Sequence, residues 1–282
     1  MSNDGSTKKP RVASELAARV ISSLALAGLA LVSAWYGGIA LTIVWSVAAI
    51  AVLWEWLKLI GISGGSLVAF WIFGAASILL SAFSDTLFGL DNYAMLWPAI
   101  IAALVLGVVA QLRKHSFVWT AAGPLYAAIV VLAPIWLRGR EPDGLVAVLW
   151  LFLVVWISDI GAYFVGRRIG GPKLWPAISP KKTWSGLFGG LFFGTLLASG
   201  FVLLDRMVVG PIFIGGIGLF IFTLGTSLVS ELGDLFESAM KRHFGAKDSG
   251  QIIPGHGGIM DRLDSFVAAG LFAVIVLDLF GF

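Results

Sequence analysis

The chain has 282 residues, 59% of them hydrophobic and 12% charged, with a net charge of +3 and a mean hydropathy of +0.95. Soluble globular domains carry charge on roughly a quarter of their residues, so this composition excludes an ordinary soluble protein and predicts an all-α polytopic membrane protein. The absence of cysteine excludes disulfides, thiolate metal sites and cysteine nucleophiles. No zinc spacing or basic helix with interleaved aromatics accompanies the basic surplus, so nucleic acid is not an expected partner.

In chain order, a polar tail over residues 1–15, with its first 13 residues expected to be disordered, leads through an amphipathic entry at Ser14 into the first apolar stretch. Nine stretches near the length that crosses about 30 Å of hydrocarbon follow: Val20 to Tyr36, Ile39 to Trp56, Leu67 to Phe83, Tyr93 to Leu112, Phe117 to Leu137, Leu145 to Val165, Leu187 to Leu204, Val209 to Val229 and Phe266 to Phe280. The first has a long apolar run without a good small-residue cleavage site, so it reads as a retained helix rather than a signal peptide. It is separated from the second by Gly37 and Gly38, a site for a tight hairpin. Glu55, between Trp54 and Trp56, reads as an interfacial anchor, and Pro98, Pro124 and Pro134 as helix kinks.

The chain therefore divides into the tail, an N-terminal scaffold of about five helices over 16–140, and a C-terminal catalytic region over 141–282. The polar residues of that last region fall in two segments, 158–186 and 230–265. With the N-terminus cytoplasmic, all but Arg138, Arg140 and Arg206 of the 19 basic residues lie inside, the arrangement that the positive-inside bias favours. It puts both polar segments at the cytoplasmic face and the C-terminus outside.

Charges this dense beside apolar spans point to function. If the eighth helix continues past its apolar run, Glu231, Asp234, Glu237, Ser238 and Lys241 share one stripe at spacings of three and four. Asp261 and Asp264 make a second i, i+3 pair, with Arg262 pointing away. Such carboxylates are hard oxygen ligands suited to Mg²⁺. Lys173, Lys181, Lys182, Lys241, Arg242 and Lys247 supply donors for a polyphosphate, and Gly255, Gly257 and Gly258 around His256 let backbone amides approach phosphate. Phosphoryl or nucleotidyl transfer needs this mixture. Plainer readings stand beside it: Arg113, Arg167 and Arg168 as orientation signals, Asp159 as a helix-packing residue, His256 as a turn residue, and Trp175 and Trp184 as interfacial anchors.

The second segment resembles the phosphatidate cytidylyltransferase (CDP-diacylglycerol synthase) family. Ser238, Lys241, Arg242, Lys247, Asp248, Gly250, Pro254, His256, Gly257, Gly258, Asp261, Arg262 and Asp264 match its C-terminal signature without a gap. Upstream, Asp159, Gly161, Tyr163, Gly166 and Arg167, then Ser179 to Trp184, are similar to the same family, while Ser185 stands where many relatives carry an acidic residue.

The resemblance implies transfer of CMP from CTP to phosphatidate with Mg²⁺, at the cytoplasmic face of a bacterial inner membrane, by an integral membrane protein that forms a homodimer. By similarity Asp234 and Asp261 are the metal ligands. The expected catalytic set is Asp234, Lys241, Arg242, Lys247, Asp248, His256, Asp261 and Asp264. Asp159, Tyr163, Arg167, Ser179, Lys181, Lys182, Thr183, Ser238, Gly257, Gly258 and Arg262 are expected to bind substrate.

Other CTP-using lipid enzymes, a polyprenol-type kinase or an archaeal-type synthase, are the nearest competitors. A transporter with an Asp159, Asp234 and Asp261 relay is the competitor from another class; it predicts midplane polar residues and internal repeats that this sequence does not show.

Overall fold

The computed structural model describes residues 9–89, 93–209, 216–253 and 257–280. Among these are nine α-helices: α1 (Lys9–Tyr36), α2 (Gly38–Leu59), α3 (Gly64–Phe88), α4 (Trp97–Leu112), α5 (Phe117–Arg138), α6 (Gly144–Ile169), α7 (Trp184–Val209), α8 (Gly216–His243) and α9 (Met260–Leu279). Seven helical segments, α2 through α8 with α4 extended by its leading turn, are long and apolar enough to cross a membrane. The apolar part of α1, Val20–Tyr36, is shorter, so the nine expected spans correspond to nine helices but to seven clear crossings. Helix α1 begins at Lys9, within the stretch expected to be disordered.

Several boundaries follow from local chemistry. Gly37 and Gly38 take φ of +62° and +46° where α1 gives way to α2, so the helix breaks at the expected glycine pair, in a conformation that only glycine adopts without strain. Pro98 sits in the first turn of α4, where a missing N–H is harmless, and begins that helix instead of kinking it. Pro124 and Pro134 both lie inside the continuous α5. One departure from an all-α fold lies between α6 and α7, where β1 (Lys173–Trp175) pairs antiparallel with β2 (Ser179–Thr183).

Large side chains fill the centre and small ones let helices close. Trp45 of α2 stacks on Phe152 of α6 and Phe266 of α9, at 5.8 and 4.6 Å between centroids, joining the two halves of the chain. Helices α6 and α7 approach through glycine. A Cβ at Gly161 would lie 3.1 Å from the Gly189 carbonyl oxygen, and one at Gly190 would lie 2.8 Å from that of Ser158. In lipid, where apolar surface alone gives no drive to associate, such close packing holds helices together. Outward-facing Leu, Ile, Val and Phe side chains stay exposed, as a lipid-facing surface requires.

The same logic at α8 and α9 gives a test. A Cβ at Gly233 would lie 2.6 Å from the Ala268 Cβ and 2.8 Å from the Asp264 carbonyl oxygen. Gly233→Ala is therefore expected to destabilise the protein by about 1–3 kcal/mol through overpacking, read as a lowered midpoint of thermal unfolding in detergent.

Both ends of the bundle are tied. At one end Arg140 pairs with Asp278 of α9, and Arg138 donates to the Ala34 carbonyl oxygen of α1. At the other, the α2–α3, α4–α5, α6–α7 and α8–α9 connections gather. Arg113 donates to the Ser66 hydroxyl there, and Trp119 stacks on His243 at 5.7 Å. The described charged residues of the two polar segments, 158–186 and 230–265, lie at this second end.

Candidate functional site

A cavity of about 810 Å³ opens between α6, the β-hairpin, α8 and the start of α9. Its wall contains Asp159, Tyr163 and Arg167 from α6, Lys173, Lys181, Lys182 and Thr183 from the hairpin, Glu231, Asp234 and Lys241 from α8, and Asp248, Asp261, Arg262 and Asp264 from the last segment. The two polar segments, more than 40 residues apart in sequence, thus converge on one space.

The hairpin is built to hold its lysines over α8. The Thr183 hydroxyl accepts the Gly186 N–H at 3.1 Å, satisfying an otherwise unpaired amide in the first turn of α7. The Ser185 hydroxyl donates to the Gly170 carbonyl oxygen at 2.5 Å, closing the base of the hairpin. Lys182 Nζ then lies 2.6 Å from Glu231 Oε2 and 2.9 Å from Asp234 Oδ2. Burial alone would lower the Lys182 pKa, but the two carboxylates outweigh it and hold the ammonium above the ordinary lysine range. The ammonium is therefore fully charged at neutral pH, and its contribution to the pairing is lost as pH rises through that raised value.

The predicted stripe on α8 forms, because the helix runs unbroken to His243. Ser238 donates to Asp234 Oδ1 at 3.2 Å, and Lys241 Nζ lies 2.5 Å from both Glu237 Oε2 and Asp261 Oδ1. Asp261, ahead of the apolar part of α9, also accepts the Gly258 N–H at 2.8 Å and the Ser249 N–H at 3.0 Å. Burial pushes its pKa up, but Lys241 and these amides pull it below the ordinary carboxylate range, so Asp261 stays ionised.

Several expectations change. Arg262, expected to point away from the Asp261 and Asp264 pair, is nevertheless part of the same cavity wall. The Gly258 amide, expected to face phosphate, is taken by Asp261, and the Gly257 carbonyl accepts the Ile253 N–H. Lys182 and Lys241 are engaged by carboxylates, so they neutralise α8 and α9 before any ligand enters. Arg242 donates to the Ala246 carbonyl oxygen at 2.9 Å and, like Lys247, Ser179, Ser238, Gly257 and Gly258, is not part of the cavity wall. His256 lies outside the described residues.

Glu55 overturns its reading as an interfacial anchor. It is 1% exposed, and its oxygens accept the Ile259 N–H at 3.1 Å, the Met260 N–H at 2.8 Å and the Ser249 hydroxyl at 3.1 Å. A carboxylate buried at a helix N-terminus with three donors is stable where an unpaired one would not be. Glu231 and Glu237 were visible on the stripe but absent from the expected site; their spacing with Asp234 and Lys241 was the available signal.

The donor chemistry suits a hard divalent cation. Four carboxylates, of Glu231, Asp234, Glu237 and Asp261, pair with two ammonium groups, Asp264 lines the cavity beside them, and Glu231 Oε1 is buried without a hydrogen-bond partner. Among the described residues no three His, Asp or Glu side chains form a ready-made metal cage. A cation held here would therefore complete its coordination with water and ligand oxygens, as Mg²⁺ commonly does.

Comparison with known proteins bears on the chain as a whole. A protein from Brucella suis named phosphatidate cytidylyltransferase is 40% identical over 269 residues, covering 95% of this chain and 94% of its own length. One of the same name from Bacillus subtilis is 37% identical over 230 residues, covering 79% and 81%. A third, from Staphylococcus saprophyticus, is 45% identical over 155 residues, covering 55% and 58%. The sequence profile of the cytidylyltransferase family matches residues 17–280, which include the whole cavity wall, and the chain belongs to that family.

Proposed function

We propose that this protein transfers CMP from CTP to phosphatidate, giving CDP-diacylglycerol and pyrophosphate for phospholipid biosynthesis. The supporting observation is the cavity, in which lysines and arginines face a carboxylate cluster at one end of an apolar bundle. A water-soluble nucleotide and a lipid headgroup meet at such a place.

A phosphate oxygen of phosphatidate attacks the α-phosphorus of CTP; the new P–O bond forms as the bond to the β-phosphate bridging oxygen breaks, and pyrophosphate leaves. The nucleophile is already anionic, so no strong general base is required, and the main barrier is repulsion between two anions. Lys173, Lys181, Arg167 and Arg262 in the wall neutralise those charges and orient them. Lys182 and Lys241 hold the acidic residues in place and are within the same space to meet phosphate oxygens. Asp234 and Asp261, supported by Asp264 and by the unpartnered Glu231 oxygen, would hold Mg²⁺, which when bound withdraws charge from the phosphates and the departing pyrophosphate. Asp159, Tyr163 and Thr183 complete the wall on the hairpin side.

The basic-residue asymmetry supports a cytoplasmic cavity, with the N-terminus inside and the C-terminus outside, in a bacterial inner membrane. The homodimer implied by the family resemblance belongs to the same reading, and size measurement in mild detergent tests it. Purified protein given phosphatidate and CTP is expected to form a lipid with the mass of CDP-diacylglycerol, and EDTA is expected to stop it. A phosphorylated lipid with release of CDP would favour a CTP-dependent kinase. In sealed vesicles, externally added CTP is expected to be consumed by inside-out vesicles only; equal consumption by right-side-out vesicles would overturn the orientation.

A further inference from the structure

Among the described residues, the N-terminal helices carry one buried carboxylate that the proposed chemistry does not use. Glu55 ends the apolar part of α2, yet its partners Ser249, Ile259 and Met260 lie about 200 residues later, in the connection that delivers Asp261. Two carboxylates interleave on that connection. Ser249 gives its N–H to Asp261 and its hydroxyl to Glu55. The Gly258 amide goes to Asp261, and the next two amides, of Ile259 and Met260, go to Glu55. Moving either carboxylate therefore disturbs donors shared with the other.

The glycines around them are shaped to this arrangement. A Cβ at Gly250 would lie 2.5 Å from Glu55 Oε1, and one at Gly258 would lie 2.5 Å from Glu55 Oε2. Gly258, which reads from the sequence as part of a phosphate turn, and Gly250 before it instead leave room for a carboxylate from α2. Glu55 itself is held by its neighbours. Trp56 donates to the Trp119 carbonyl oxygen at 2.8 Å, and Trp119 packs on His243 and Phe244 at the end of α8. The scaffold thus grips both helices that carry the acidic cluster.

We propose that Glu55 is a positioning residue for Asp261: it satisfies the first amides of α9 from another helix and so fixes where the Asp261 carboxylate and its Lys241 partner stand. The proposal rests on Asp261 belonging to the catalytic cluster, but its coupling to Glu55 is measurable whatever reaction the cavity performs. In Glu55→Gln one carboxylate oxygen becomes an NH₂ that cannot accept an amide N–H, so at least one of the three donors is lost without a change in volume. A displaced Asp261 removes stabilisation needed at the transition state more than ground-state binding.

Glu55→Gln and Glu55→Asp, purified as full-length protein in detergent, are compared with the unmodified chain by amide hydrogen exchange over residues 257–262 and by steady-state kinetics with CTP and phosphatidate. Glu55→Gln is expected to exchange faster in that segment, to lose about 30-fold or more in kcat, and to keep its KM for CTP within about threefold, the pattern of a lost transition-state interaction. Glu55→Asp, which keeps both acceptor oxygens on a shorter stem, is expected to fall between the two. Unchanged exchange at 257–262, or a kcat within twofold of the unmodified protein, would overturn the proposal. So would failure of the isosteric Gln variant to fold, which would make Glu55 a folding residue.

Discussion

Asp261→Asn is expected to abolish turnover, by about 10³-fold or more, while leaving a folded protein. Asp261 is where the last segment meets α8. One of its oxygens lies 2.5 Å from the Lys241 ammonium, and the carboxylate accepts amides from Ser249 and Gly258. An Asn side chain keeps one acceptor oxygen but presents an NH₂ toward either an ammonium or an amide, both of which are donors. It also removes the negative charge that keeps Lys241 in place and that would bind a divalent cation. Preorganised electrostatic groups of this kind each contribute about 10²–10³ to kcat, and losing charge and cation affinity together exceeds that. Circular dichroism and a detergent thermal melt should show retained helix content; activity within tenfold of the unmodified protein would remove Asp261 from the proposed chemistry.

Lys182→Met should be nearly as damaging to activity, and in addition should destabilise the fold by about 3 kcal/mol, because removing one partner of a buried ion pair strands the other. Glu231 is 3% exposed, and its Oε1 already lacks a partner. Without Lys182 it would lose the ammonium at Oε2 as well. The structural and catalytic parts separate in a second variant. Lys182→Met combined with Glu231→Gln removes the buried stranded charge and leaves only the partly exposed Asp234 without its ammonium, so the thermal midpoint should largely recover. Activity should stay at least about 10²-fold down, since the cavity still lacks the Lys182 ammonium and has lost the Glu231 carboxylate as well. Recovery of activity along with stability would reduce Lys182 to a counter-ion for Glu231.

What the sequence reveals here depends on how local the determining interaction is. The α8 stripe was legible because Glu231, Asp234, Glu237, Ser238 and Lys241 recur at helical spacing, and a helix brings such residues together whatever surrounds it. The Gly37–Gly38 break was legible for the same reason, being set by two adjacent residues. The hairpin at Lys173–Thr183 was not, since two short strands rich in Lys and Pro carry no periodic signal. Glu55 was least legible. A lone carboxylate between two indoles looks interfacial, and the donors that explain its burial are contributed from the far end of the chain. The engagement of Lys182 and Lys241 by acidic residues was hidden similarly, because each lysine meets a carboxylate from another segment.

The central claim is that this cavity joins the α-phosphate of CTP to a lipid phosphate. The most direct test supplies purified protein with phosphatidate, Mg²⁺ and CTP labelled in separate reactions on the α- and γ-phosphates. The α label is expected in the lipid, and the γ label in released pyrophosphate. Entry of the γ label into the lipid would contradict the claim in favour of phosphoryl transfer, and absence of both labels from the lipid in well-folded protein would contradict it altogether.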